Sequence, residues 1–84
     1  MIAYQVFKGE NDKHDRQMWE LEATYTSKDR AQQHADKIVS ETKLYGSALV
    51  DEGWKHNDSY RVYYAHGWDY VGICKIEAIE IITD

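Results

Sequence analysis

The chain has 84 residues, 43% of them hydrophobic and 13% aromatic, and its net charge at pH 7 is −5. This length is enough for one domain, residues 1–84, without a second core, and the hydrophobic content excludes a disordered chain. The acidic balance disfavours a nucleic-acid binder that relies on a basic surface. The single cysteine, Cys74, excludes an internal disulfide and a cysteine-built zinc site, and its apolar neighbours predict a buried thiol.

The first ten residues lack the basic and apolar regions of a signal peptide. No apolar run approaches the ~20 residues that a membrane-spanning helix needs. We therefore expect a cytoplasmic protein that makes no contact with a membrane.

The first 25 residues predict a hairpin with a long loop. Residues 2–8 alternate between apolar and polar side chains, as a strand does. Residues 9–16 are polar and contain turn-forming Gly, Asn and Asp. Residues 17–25 alternate again, which predicts a second antiparallel strand whose apolar side is formed by Trp19, Leu21, Ala23 and Tyr25.

Residues 26–46 carry the one clear helical period in the chain. Thr26 or Ser27 can cap the start, and Gly46 fits the residue after the end. A narrow apolar stripe recurs every three or four residues and consists of Ala31, Ala35, Ile38, Val39 and Thr42. The alanines at its head would let the helix approach a flat partner closely, most naturally a sheet.

The second half is less regular. Residues 48–50 fit either a brief strand or a plug beneath the helix end, and residues 51–59 fit a loop. Residues 60–65 predict a strand with Tyr60, Val62 and Tyr64 on one side and Arg61 and Tyr63 on the other.

The tail, residues 70–82, is rich in β-branched residues and predicts a final strand after a turn at residues 66–69. Its alternation slips near residues 72–75 and again near Ala78, which predicts a bulge or bend. A helix over residues 74–82 is the competing interpretation.

These elements predict an α+β fold with an antiparallel sheet of three to four strands. The predicted order is β-β-α-β-β, with one helix packed on one face of the sheet. We expect the other face to carry Tyr63, Met18, Glu20 and Glu22, with Trp68 as a further candidate. That uncovered face and the unpaired sheet edges predict a homodimer.

Carboxylates and histidines come together in three loops, but no motif marks a catalytic site. The densest loop has Asp12, His14 and Asp15, and a small metal-dependent enzyme that uses it is one alternative. His56 with Asp58 and His66 with Asp69 form the other two sets. Because none has a third ligand at fixed spacing, we expect no enzyme, no cofactor and no metal.

The aromatic residues give the stronger functional indication. Trp54 and Trp68 lie in polar, turn-like segments where a core role is not obvious. Tryptophan and tyrosine beside basic residues dominate binding hot spots. The candidate partner-binding residues are Trp54, Trp68, Tyr63, Tyr70, Lys55, Arg61, His56 and His66. Trp54 is the favoured anchor because its loop is longer.

Two partner classes fit such a surface. Single-stranded RNA stacks its bases on aromatic side chains, with Lys55, Arg61, His56 and His66 as donors. However, acidic residues outnumber basic ones after residue 46, and this charge would repel phosphates. A protein partner with a basic surface is therefore the better match, and RNA remains the alternative.

The helix entry YTSKDRAQQHADKI, after the AYQVFKGEND hairpin and before the CKIEAIEII strand, resembles small early accessory proteins of tailed bacteriophages. The likeness covers the strand–strand–helix half and the final strand. It implies a non-enzymatic protein of the host cytoplasm that inhibits or redirects a host factor, as an antitoxin or an anti-defence protein does. Residues 46–70 depart from the short loop expected there, so partner specificity is expected in that region.

Overall fold

The computed structural model describes residues 1–82, which form one α-helix and a five-stranded sheet. Three strands of the sheet lie after the helix in sequence. The elements, in chain order, are β1 (Ile2–Asn11), β2 (Gln17–Tyr25), α1 (Lys28–Glu41), β3 (Ala48–Asp51), β4 (Tyr60–His66) and β5 (Tyr70–Glu80). The α+β class and the single helix are confirmed. The predicted three to four strands were too few, because residues 48–51 form a short edge strand.

The sheet is antiparallel throughout and has the order β2-β1-β5-β4-β3. The last strand therefore pairs with the first and with β4. The competing helix over residues 74–82 is wrong, because residues 70–80 are a strand and residues 81–82 are not helical. The predicted irregularity near residues 72–75 is confirmed as a bulge at Ile73, where Tyr63 pairs with Cys74 but Tyr64 pairs with Gly72.

Helix α1 begins after Ser27, whose hydroxyl accepts a hydrogen bond from the Arg30 N–H at 3.3 Å. It ends at Glu41, before the predicted residue 46, because Thr42 adopts an extended backbone. Its buried residues are Ala31, Ala35 and Ile38, as the apolar stripe predicted. They pack on a core formed by Val6, Tyr63, Ile73, Cys74 and Ile76.

A bulge in β2 reverses the face of half of that strand. Val6 pairs with Ala23 but Phe7 pairs with Leu21, so Glu22 is the extra residue. Ala23 and Tyr25 consequently face the helix, whereas Leu21 and Trp19 face the other way. The prediction that all four share one face was wrong, because a bulge changes the alternation after it.

The uncovered face was also assigned wrongly at other positions. Tyr63 is 3% exposed and lies beneath the helix, and Met18 and Glu20 lie on the helix side of β2. The uncovered face, which we call the open face, instead carries Phe7, Trp19, Leu21, Tyr60, Tyr64, Lys75 and Ile79. The alternation within β4 is as predicted, but Arg61 and Tyr63 face the helix, whereas Tyr60 and Tyr64 face away from it.

Lys75 lies at the centre of the open face. Its ammonium is 4.8 Å from the centroid of the Phe7 ring and 4.7 Å from that of the Trp19 ring. It also pairs with Glu77 at 3.0 Å. The two rings and the Glu77 carboxylate therefore shield the Lys75 ammonium, and the charges of Lys75 and Glu77 offset each other.

Among residues 1–82, no helix combines the length and the apolar character that crossing a membrane requires.

Candidate functional site

Two turns meet at one end of the sheet and expose aromatic rings there. The turn between β4 and β5 carries Trp68, whose relative exposure is 103%, and the connection after α1 carries Tyr45 at 89%. Both residues line one shallow surface depression with Gly46, Ser47 and Gly67. Neither ring is held in the core, so both are available to another molecule.

The local backbone explains how Tyr45 comes to be exposed. Tyr45 has φ 46° and Gly46 has φ 85°, so the chain makes two successive left-handed steps. The Ser47 N–H closes this turn by donating to the Leu44 carbonyl at 2.8 Å. A left-handed tyrosine costs about 1 kcal/mol relative to an ordinary backbone, which is the kind of strain that persists at functional sites.

Gly67 allows the two turns to touch. A Cβ atom at this position would lie 2.6 Å from the Ser47 hydroxyl oxygen, which is closer than side chains tolerate. The Gly67 N–H donates to the Asp69 carbonyl at 3.2 Å and thereby closes the turn that presents Trp68. The short sequence His66-Gly67-Trp68-Asp69 thus sets the position of the tryptophan relative to Tyr45.

Two further rings extend this surface around the end of the sheet. His66 and Tyr70 are directly paired across β4 and β5, and their rings stack at 4.2 Å with an angle of 5° between them. Tyr70 is also edge-on to Tyr64 at 5.9 Å. We call Tyr45, His66, Trp68 and Tyr70 the end cluster.

A groove of about 570 Å³ opens beside the end cluster, between the end of α1 and the sheet. Apolar side chains line its interior, namely Ile38, Leu44, Ala65, Val71 and Ile73. Its rim includes Lys8, Glu10, Glu41 and Lys43. Tyr45 lines both the groove and the depression that holds Trp68, so the groove and the end cluster form one continuous surface.

Trp54, the favoured anchor, has a different environment. It packs against the core, edge-on to Tyr4 at 6.3 Å. The Lys28 ammonium lies 4.6 Å from its ring centroid, and the Arg61 guanidinium carbon lies 6.0 Å away. This tryptophan is therefore partly buried and held on several sides, unlike Trp68.

Arg61 and Tyr63 belong to a polar network beneath the helix. Arg61 donates to Asp51 at 2.6 Å and to Gln32 at 2.9 Å, and Gln32 donates to the Tyr63 hydroxyl at 2.6 Å. The hydrogen bond from Arg61 lowers the pKa of Asp51 and, in return, raises the pKa of Arg61. These contacts hold β3 and β4 to α1.

Lys55 and His56 lie in the exposed loop before β4. Lys55 pairs with Glu52, and the His56 ring lies 6.3 Å from the Tyr60 ring. Both residues lie near Tyr60, at the opposite end of β4 from His66 and the end cluster. Of the eight candidate residues, the structure places His66, Trp68 and Tyr70 at the end cluster, and it groups Trp54, Arg61 and Tyr63 separately, beside the helix.

The loop that carries Asp12 is organised by hydrogen bonds. The Asp12 carboxylate accepts from the backbone N–H groups of His14 and Arg16 and from the Arg16 side chain, at 2.8–2.9 Å. The Arg16 N–H is the main cause that lowers the pKa of Asp12. Within residues 1–82, no three His, Cys, Asp or Glu side chains are grouped to hold a metal ion.

Cys74 lies in the core beneath the helix. Burial raises the pKa of its thiol to about 12. Since the thiolate is the nucleophilic form, this thiol is inert at neutral pH.

The partner-binding residues predicted from the sequence did not include Tyr45, and the groove was not predicted. Tyr45 could have been found from its position, because it directly precedes Gly46, which marks a turn, and lies outside the apolar stripe. Ala65, Val71 and Ile73 carry no such signal, since in sequence they look like ordinary strand residues.

No family model, curated protein or solved structure matches this chain.

Proposed function

We propose that this chain is a non-enzymatic binding protein that inhibits or redirects a partner protein, and that the partner contacts the end cluster and the groove. The observation that carries the proposal is the complete exposure of Trp68 beside the exposed Tyr45. An aromatic side chain of this size removes about 150–250 Å² from water when a partner covers it. Such rings next to a preformed groove supply the anchors and the pocket that binding hot spots require.

The groove supports a peptide or protein partner. Its interior is apolar, which suits one or two apolar side chains of the partner. Its rim carries Lys8 and Lys43 as well as Glu10 and Glu41, so polar groups of either sign can be paired at the edge. The net charge of −5 favours a partner whose surface is basic.

Single-stranded RNA is the second candidate, and the stacked rings of His66 and Tyr70 favour it. Lys75, however, lies between two rings and pairs with Glu77, so it is not free to meet a phosphate. Phosphates would also approach an acidic chain. The electrostatics therefore favour a protein partner.

The purpose of the binding follows from the resemblance to early phage accessory proteins. Proteins of that kind act in the host cytoplasm on a toxin, a nuclease or a defence component. Inhibition or redirection of such a factor is therefore the proposed outcome of the contact.

Affinity capture tests the proposal. The intact chain, the Trp68→Ala variant and a Leu21→Ala control are immobilised and exposed to RNase-treated extract of the source cells. Leu21 is also exposed, but it lies on the open face away from the turns. We expect one protein to be retained by the wild type and the control and lost from Trp68→Ala, and its activity to fall when the free chain is added. Identical retention by all three proteins would contradict the proposal, and retention of RNA that falls steeply with salt would favour the second candidate.

A further inference from the structure

A separate surface cavity of about 520 Å³, open to solvent, lies where the helix meets the end of β2. It is lined by Tyr25, Arg30, Gln33, His34 and Lys37. The four helix residues are spaced three, four and seven positions apart, so they lie on one flank of α1. None of the five lining residues carries a carboxylate, although acidic residues outnumber basic ones in this chain.

The helix separates its polar groups by side. Gln32 and Asp36 lie on the flank toward β4, where Gln32 donates both to Asp36 and to Tyr63. Arg30 and Lys37 lie on the flank toward β2. Neither of these two cations makes an ion pair within residues 1–82, whereas Lys28, on the same helix, pairs with Asp58. Two uncompensated positive charges therefore face one cavity.

Tyr25 fixes the orientation of His34. Its hydroxyl lies 2.9 Å from His34 Nδ1, and the two rings meet edge-on at 5.8 Å. When the phenol donates to Nδ1, the neutral imidazole carries its proton on Nε2. The Nε2–H donor of His34 is then left for a ligand, next to the guanidinium, the ammonium and the Gln33 amide.

We propose that this cavity binds the phosphate group of a small phosphate monoester. A phosphate presents three terminal oxygens, and the cavity provides a guanidinium fork, an ammonium, an imidazole N–H and an amide N–H to meet them. A phosphate monoester carries up to two negative charges at neutral pH and so matches the two cations better than a carboxylate, which carries one. The cavity falls within the usual volume range for small-molecule sites and is larger than a bare ion requires. The site is distinct from the end cluster, so it does not depend on the proposed function.

Titration of the isotope-labelled full chain with phenyl phosphate, phenol and inorganic phosphate tests this site by NMR. We expect phenyl phosphate to shift the amide signals of residues 30–37 with a Kd below about 1 mM, and phenol to leave them unchanged. Arg30→Gln and Lys37→Gln should each weaken binding by about tenfold or more, because each removes a charge-assisted hydrogen bond.

Lys13→Gln is the matched control. Lys13 is an exposed cation in the first loop without an ion pair within residues 1–82, and its substitution changes the net charge by the same amount as Arg30→Gln or Lys37→Gln. It should bind phenyl phosphate as the wild type does. Melting curves verify that all variants are folded. We expect this result because the substituted side chains are exposed. Equal weakening by Lys13→Gln and Arg30→Gln would overturn the proposal, as would equal binding of phenol. Binding of a ten-nucleotide oligouridylate at these residues more than about tenfold tighter than phenyl phosphate would instead identify a nucleic-acid site and also overturn it.

Discussion

The side-chain amide of Gln17 binds both backbone polar groups of Gly72. Its Nε2 donates to the Gly72 carbonyl at 3.0 Å, and the Gly72 N–H donates to its Oε1 at 2.6 Å. The register of β1 with β5 extends only to Lys8 and Cys74, so a side chain from β2 replaces the missing backbone partner. Gly9 lies between them, and a Cβ atom there would overlap the Gly72 carbonyl oxygen.

Gln17→Ala should lower the free energy of unfolding by about 1–3 kcal/mol, because it leaves two partly buried backbone groups without a partner. Gln33→Ala, on the exposed flank of the helix, should change it by less than about 0.5 kcal/mol. Urea unfolding of both variants measures the difference. Equal midpoints would show that the amide contributes no net stability.

The two loop tryptophans should separate in their effects on stability. Trp54→Ala removes a ring that packs on the core and on Tyr4, so it should cost about 2–4 kcal/mol. Trp68→Ala removes a fully exposed ring and should stay within about 0.5 kcal/mol of the wild type. Thermal melts measure both. A large loss of stability for Trp68→Ala would mean that this ring packs on the protein in solution.

Local sequence patterns predicted the helix and most strands, because each was visible in a single segment. The spacing of Ala31, Ala35 and Ile38 indicates a helix without any knowledge of the element against which it packs. The face of Trp19 was not predictable in the same way. It depends on a bulge at Glu22, which becomes visible only when β2 is aligned with β1.

The candidate site could be predicted only in part for the same reason. The sequence indicated Trp68 because its turn is polar on both sides. Trp54 has a similar polar context, but Tyr4 and Lys28, both distant in sequence, cover its ring. Which of two such tryptophans is exposed is decided by tertiary contacts that no local pattern contains.

The ion pair of Asp51 and Arg61 should make stability depend on pH in the acid range. Arg61 lowers the pKa of Asp51 in the folded state below its ordinary 3.8, so the unfolded chain takes up a proton first as the pH falls. The ion pair of Asp51 and Arg61 therefore stabilises the folded state above pH 3.8, and this contribution is lost as the pH falls through the pKa of Asp51 in the folded state. Asp51→Asn should therefore show a smaller loss of stability between about pH 5 and about pH 2 than the wild type. Parallel curves for the two proteins in chemical denaturation would contradict this assignment.

The predicted homodimer can be tested at the open face. Leu21 and Ile79 expose apolar side chains there, 48% and 36% of their areas, beside the rings of Phe7 and Trp19. Leu21→Glu should therefore convert a dimer of twice 9.9 kDa to a monomer. Leu49 lies on the helix side of β3 and is exposed to a similar extent, 42%. Leu49→Glu should therefore leave the dimer intact. Light scattering that gives 9.9 kDa for the wild type across micromolar concentrations would contradict the prediction.

The central claim is that Trp68, at the end cluster, anchors a protein partner. The most direct measurement is the Kd of the complex with the captured partner, by calorimetry, for the wild type, Trp68→Ala and the Leu21→Ala control. We predict at least a thirtyfold weaker complex for Trp68→Ala, about 2 kcal/mol, and an unchanged Kd for the control. An equal Kd for Trp68→Ala and the wild type would contradict the claim.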